Sequence, residues 1–391
     1  MKNKGFILSG SLIFLMMSVF ISCGPKQDKV EKIMEDGIKV VINHLEPYKV
    51  KGKPNNLFLE EEFRIDSEKD EIAETGLTDI SNRGFGVDSE GSIYFINYRK
   101  VEYCIFKFDR NGNFVKHFAR KGQGPGEIQR PNMPIVNNRD EITITDTALH
   151  KFLIFSKGGS LLQETKLDSD IQLVIPLKNG KYLLVKSSSG IEEKFSLILC
   201  NAEFGEIKEL DSAEIPSPYK GNGIKGIYPV FILTVSGESI YVGNDKRGYE
   251  IWVFDLEGIL KRKIKKEYKH VQVSEEYKKR FLKQFDSPQM ESFKEKVYFP
   301  KDMPPFQYMF SDDSKRLYVM TYEKAGNQKE CIYDIFNADG VFIARTSFGN
   351  ISTLAFVEQA LPIKSKNDKV YCTREKDNGF KELVVYKMRW E

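Results

Sequence analysis

From residue 55 onward, apolar and polar positions alternate in short runs, each closed by a turn of Gly, Asn, Asp or Ser. Runs such as Ile93-Tyr-Phe-Ile96 and Ile251-Trp-Val-Phe254 are β-branched and aromatic. Such residues suit a pleated surface packed on both sides. The intervening polar-Gly and Asn-Asp pairs tolerate positive φ and close tight turns. The pattern therefore predicts many short antiparallel strands.

The runs repeat as one unit: turn, strand, short turn, strand, Gly turn, strand. Copies lie at Asp88–Ala119, Asn137–Gly159, Lys178–Gly205, Ser236–Gly258, Asp312–Gly340 and Lys366–Met388. Each copy also needs an innermost strand. Candidates are Gly84–Val87, Met133–Val136, Gln172–Ile175, Val230–Val235, Gln307–Phe310 and Leu354–Val357. The last copy ends soon after its third strand and lacks a fourth. The unassigned run Leu57–Ile65 fills that place and closes a ring. No single small sheet buries both of its faces, whereas radial stacking does. The expectation is all-β: one six-bladed β-propeller over 55–391, with four-stranded blades and about 56 residues per blade.

The innermost-to-outermost strands of a blade are called a to d below. Connections from d to the next a cross one face, and they lengthen along the chain: Gly122–Asn132, Asp211–Pro229, then Glu267–Phe306. The last contains Ser274–Phe285, which reads as a helix. Ser274 stands as N-cap, Glu275 and Glu276 occupy the first turn, and Tyr277, Phe281 and Phe285 recur every fourth residue. That stripe either packs on the propeller face or lines a ligand cleft under a lid.

The N-terminus is of another kind. Lys2 and Lys4 precede the apolar run Phe6–Ile21, which is shorter than the ~20 residues of a membrane span. A basic start and a short apolar core read as a secretory signal. Ser22-Cys23 resembles a bacterial lipobox, with Phe20 where Leu is usual. The resemblance implies removal of 1–22 and a lipid on Cys23. Charged residues dominate Lys26–Asp36 and Lys51–Asn56 is turn-rich, so 23–54 reads as a spacer, with one strand at Ile38–Ile42.

The chain has 391 residues, with 59 Lys and Arg against 56 Asp and Glu. Loss of the signal takes Lys2 and Lys4 and no acid, so net charge falls from +3 to +1. Near neutrality leaves no basic footprint for nucleic acid. An apolar content of 41% excludes a disordered chain. Cys104, Cys200, Cys331 and Cys372 sit inside apolar runs without Cys-x-x-Cys spacing, as buried strand cysteines do.

Asp109-Arg-Asn-Gly-Asn-Phe-Val115, followed by Gly122-Gln-Gly-Pro-Gly-Glu127, resembles the bacterial six-bladed β-propeller lipoproteins related to NHL-repeat proteins. The likeness covers nearly the whole chain. It implies an exported, anchored propeller and no defined reaction. The second copy departs from it, with Ser-Lys-Gly-Gly where Asp or Asn normally opens the turn.

Chemistry is sparsely signalled. The Gly122–Gly126 loop lacks a Gly-Lys-Ser/Thr ending and a following helix, so it reads as a shaped crossing turn braced by Glu127 rather than a phosphate loop. His44, His117, His150 and His270 are not at ligand spacing. There is no Gly-x-Ser-x-Gly elbow. Asp146, Asn244 and Asp245 end b strands and face one rim or cap turns. The reading is a binding module of the cell envelope or outer membrane, for a glycan, a peptide or an envelope protein, with no catalytic residue, metal or cofactor assigned. Candidate ligand contacts on the crossing face are Gln123, Arg130, Tyr219, Tyr228, Tyr277, Arg280 and Phe306. The alternative is a propeller hydrolase or lyase acting at the central channel on a sugar, lactone or peptide.

Overall fold

A computed structural model describes residues 30–391 apart from 50, 51, 53, 78, 79, 81–83, 98–101, 189–193, 215–222, 228, 229, 327–329, 351–362 and 377. Cys23 and the signal segment lie outside the described residues. Six sheets form a six-bladed propeller, each antiparallel through its a to d strands. Blade 1 is Phe85–Val87, Ile93–Ile96, Tyr103–Phe108 and Phe114–Arg120. Blade 2 is Ile135–Val136, Ile142–Asp146, Lys151–Phe155 and Leu161–Lys166. Blade 3 is Ile171–Pro176, Tyr182–Ser188, Lys194–Cys200 and Glu206–Glu214. The first four strands of blade 4 are Phe231–Ser236, Ser239–Asn244, Glu250–Asp255 and Leu260–Lys266. Blade 5 is Tyr308–Ser311, Leu317–Lys324, Glu330–Phe336 and Phe342–Asn350.

Blade 6 closes the ring as the unassigned N-terminal run predicts. Ile363–Lys366, Lys369–Glu375 and Lys381–Trp390 supply a to c, and Leu57–Asp66 supplies d, paired from Glu382↔Asp66 to Trp390↔Leu57. The a strand is not where the sequence suggested. Residues 354–357 lie outside the described part, and Ile363–Lys366 takes the role. The reason is the two-residue turn Asn367-Asp368, with φ of 54° and 56°. Such a tight turn requires strand a to end at Lys366.

The c–d turns show why Asp or Asn opens them. The Oδ1 atoms of Asp109, Asn201, Asp255 and Asn337 each accept two backbone N–H bonds, from the residues two and four positions on. In blade 2 the Ser156 hydroxyl takes the second of these bonds, from Ser160 at 3.1 Å. The turn glycine serves packing as well as φ. At Gly112 (φ 86°) a Cβ would lie 2.7 Å from the Phe63 ring on the d strand of blade 6.

The core is correspondingly divided. One apolar cluster fills each junction between neighbouring blades, such as Phe310, Tyr318, Tyr333 and Cys372 between blades 5 and 6. All four cysteines outside the N-terminus are buried in b or c strands. Burial pushes the Cys104 and Cys200 thiols up to about 11 and Cys372 up to about 12.

Blade 4 departs from expectation. The single strand foreseen near 38–42 is one arm of a hairpin, Glu31–Glu35 and Ile38–Asn43. Ile38–Asn43 runs parallel to Leu260–Lys266, making a six-stranded sheet. This stretch of the expected spacer is thus part of the propeller. Val40 and Val41 are fully buried. Asn43 is also buried, donating to the carbonyls of Lys265 (3.1 Å) and Gly340 (3.0 Å) and accepting from Phe342 N (2.8 Å). It joins blade 4 to blade 5. Beneath it Asp334 accepts from Tyr249 Oη at 2.9 Å and Arg345 Nε at 2.8 Å, with Lys266 Nζ at 3.4 Å.

Candidate ligand pocket

The first crossing loop is self-braced. Gly124 N donates to Glu127 Oε2 at 2.8 Å, and Lys151 Nζ donates to the carbonyls of Gln123 and Gly124. Asp146 caps the chain on both sides, accepting from Gln129, Arg130, Ala148 and Leu149 backbone N–H groups. Every anion-binding N–H of Gly124 and Gly126 is thereby taken up by Glu127 and Glu164. The loop is a crossing turn. Gln123 and Arg130 lie exposed on it.

The long insertion builds a core of its own. Its helix spans Glu275–Leu282, and Ser274 Oγ accepts from Tyr277 N at 3.1 Å. Tyr277, Phe281 and Phe285 pack with Ile227, Val273, Met303 and Tyr322 of blade 5. The stripe therefore fixes the insertion to the ring rather than facing a cleft. Arg280 lies over the Tyr277 ring, 5.9 Å from its centroid. Phe306 is fully buried against Tyr249, with ring centroids 5.7 Å apart. Tyr277 and Phe306 thus spend their ring faces on packing, because both sit where insertion and blade exclude water. Tyr219 and Tyr228 fall outside the described residues. The five that are described, Gln123, Arg130, Tyr277, Arg280 and Phe306, are not brought together in one place.

Two backbone clasps shape a different site. Val273 N donates to Lys301 O (3.0 Å) and Met303 N to Val271 O (2.8 Å), tying the two arms of the insertion. Ile224–Lys225 runs parallel to Val297–Tyr298, and Gly226 N donates to Tyr298 O at 2.7 Å. Gly226 lies flat on Phe299: a Cβ there would be 2.2 Å from the ring. Between these clasps and blade 4 lies a cavity of about 330 Å³. Lys225, Asp245, Tyr268, His270, Lys301 and Asp302 bring its polar and aromatic groups, and Pro300, Pro304 and Pro305 stiffen its wall.

Asp245 enters from the ring. It opens the turn Asp245–Arg247 after strand b of blade 4, and its N–H donates to Val230 O at 3.1 Å. Asn244 holds that turn by accepting from Lys246 N (3.2 Å) and donating to Ser212 O (3.0 Å). The Oδ1 atom of Asp245 is buried and has no hydrogen-bond partner among the described residues. Burial raises the carboxyl above its ordinary range, and Lys225 partly offsets this. On the insertion side, the Tyr268 and His270 rings sit 4.8 Å apart, and His270 Nδ1 is 3.6 Å from Asp302 Oδ2. Among the described residues no three His, Cys, Asp or Glu side chains converge as a metal site.

Asp245 was legible as a strand-end acid. Its partners were not, because the pairing of 271–273 with 301–303 leaves no local signal in the sequence.

A six-bladed propeller with a pocket built by an insertion between blades 4 and 5 defines the class. Residues 87–343 match the six-bladed β-propeller family DUF5128, and the chain belongs to it. No curated protein sequence matches. A Bacteroides vulgatus member of the family DUF4221 is similar in structure, with TM-score 0.56 and 14% identity over 87% of this chain and 99% of its own. A Bacteroides fragilis protein assigned as exported has TM-score 0.52 and 12% identity over 90% of this chain and 99% of its own. At such identities the likeness is one of fold.

Proposed function

We propose that this is an exported propeller, held to the cell envelope by a lipid on Cys23, that binds a hydroxyl-rich ligand such as a sugar unit of a glycan. The observation that carries the binding reading is the Asp245 carboxylate, buried in the pocket with one oxygen unpartnered, beside the Tyr268 and His270 rings. A ligand hydroxyl supplies the missing donor. The C–H face of a sugar ring covers the apolar surface of Tyr268, while Lys225, Lys301 and Asp302 offer further polar contacts. A few fixed polar groups in a partly apolar hollow are the usual make-up of a small-molecule site. Export is supported by the signal-like N-terminus and by the exported assignment of the B. fragilis neighbour.

Glycan-array screening followed by calorimetry tests the reading. Asp245→Asn and Tyr268→Ala should each weaken a captured saccharide about tenfold or more, at about 1.4 kcal/mol per tenfold, with the fold intact. Unchanged affinity in both variants would place the ligand elsewhere. Loss of labelled fatty acid in Cys23→Ser tests the anchor.

A further inference from the structure

The docked N-terminal hairpin fixes where the chain leaves the ring. Strand d of blade 4 runs from its c–d turn toward the crossing face and ends at Lys266, where the insertion begins. Ile38–Asn43 runs parallel to it, so Asn43 lies beside Lys266 at that face. Glu31–Glu35 runs back the other way, with Glu31 opposite Ile42. The chain therefore enters the hairpin at the crossing face. His44 marks the place: its ring nitrogens lie 3.7 Å from Glu31 and 3.3 Å from Glu267, the first residue of the insertion.

Only residues 24–30 separate Glu31 from Cys23. Fully extended, the eight steps from Cys23 to Glu31 span at most about 29 Å. Strand d of blade 4, at seven residues, is about 20 Å long. A tether that ran back along the outer edge to the opposite face would use most of its length on the way.

We propose that the insertion face is the membrane-proximal face, apposed to the bilayer surface, with the docked hairpin as a rigid mount. This rests on lipidation of Cys23 as proposed above. The pocket of Asp245 and Tyr268 then opens beside the membrane, so its ligand belongs to the envelope surface rather than to distant solution.

The test uses the full-length lipidated protein in vesicles containing headgroup spin-labelled lipid. A fluorophore is placed on one of three exposed positions: Lys279→Cys on the insertion helix, Ser314→Cys in the a–b turn of blade 5 on the opposite face, or Lys32→Cys on the outer hairpin strand. The native cysteines of the ring are buried and stay dark. The expected result is the largest loss of emission at 279 and little at 314. A long flexible linker inserted between residues 30 and 31 should erase that difference. Greatest quenching at 314 or at 32 would overturn the orientation while leaving the anchor standing. Absence of fatty-acid incorporation at Cys23 would overturn both.

Discussion

Asn43→Ala removes the side chain that joins the N-terminal hairpin to blades 4 and 5. The side chain makes three hydrogen bonds: to Lys265 O, to Gly340 O and from Phe342 N. Asn43 is 1% exposed, and the bonds to Gly340 and Phe342 are buried. Alanine leaves that carbonyl and that N–H without partners in a place water does not reach. Each buried group left unsatisfied costs about 1–3 kcal/mol. The Lys265 carbonyl is only part-buried and recovers water, so its loss is small. The expected destabilisation is about 3 kcal/mol, with the larger effect on blades 4 and 5. Urea unfolding of the form beginning at residue 24 measures it, with Lys32→Ala as a control in the exposed outer strand. Surface changes of that kind stay within about 0.5 kcal/mol. A shift in midpoint no larger for Asn43→Ala than for Lys32→Ala would refute the reasoning, because a hairpin that merely rests on blade 4 has no buried groups to strand.

Other outcomes follow from the same geometry. Gly226→Ala drives a methyl into Phe299, so overpacking of about 1–3 kcal/mol and displacement of Lys225 are expected; binding of any captured ligand should fall more than the thermal midpoint does, and a fully retained affinity would count against the clasp. Because burial raises the Asp245 carboxyl, the folded chain holds that proton more tightly than the unfolded chain does. Its contribution to stability therefore declines as pH rises from the ordinary value of 3.8 through the raised one. Asp245→Asn should flatten that part of the pH–stability curve and be the more stable protein at neutral pH; parallel curves for the two proteins would contradict it. Cys104, Cys200, Cys331 and Cys372 should react with a thiol reagent only after denaturant is added, and rapid labelling of the native protein would mean that the blades open.

The fold was readable because a propeller is written locally. A turn such as Asp109–Gly112 carries its own instructions: an acceptor side chain for two N–H groups, and a glycine for positive φ and for the approach of Phe63. Recurrence of such cues along the chain fixes strand order and count. Even the closing strand was legible, as the complement of a copy that lacked its fourth strand. The docking of the hairpin was not. Ile38–Asn43 looks like an ordinary strand in a charged stretch, and its choice of blade 4 depends on the side chain of Asn43 reaching Gly340 and Phe342, about three hundred residues away.

The pocket was harder still, for a related reason. Aromatic residues at helical spacing announced that the insertion folds, and Tyr277, Phe281 and Phe285 do make its core. The same property that made them conspicuous, a continuous apolar stripe, committed them to packing. The groups that line the proposed ligand pocket come instead from positions with no pattern: Lys225 at the end of a two-residue strand, Tyr268 and His270 at the root of the insertion, Asp302 near its return. A site made by closing a forty-residue insertion onto a ring is set by which arms meet. Sequence periodicity records the core that lets them meet, and it carries no mark of which side chains the meeting arms bring to the pocket.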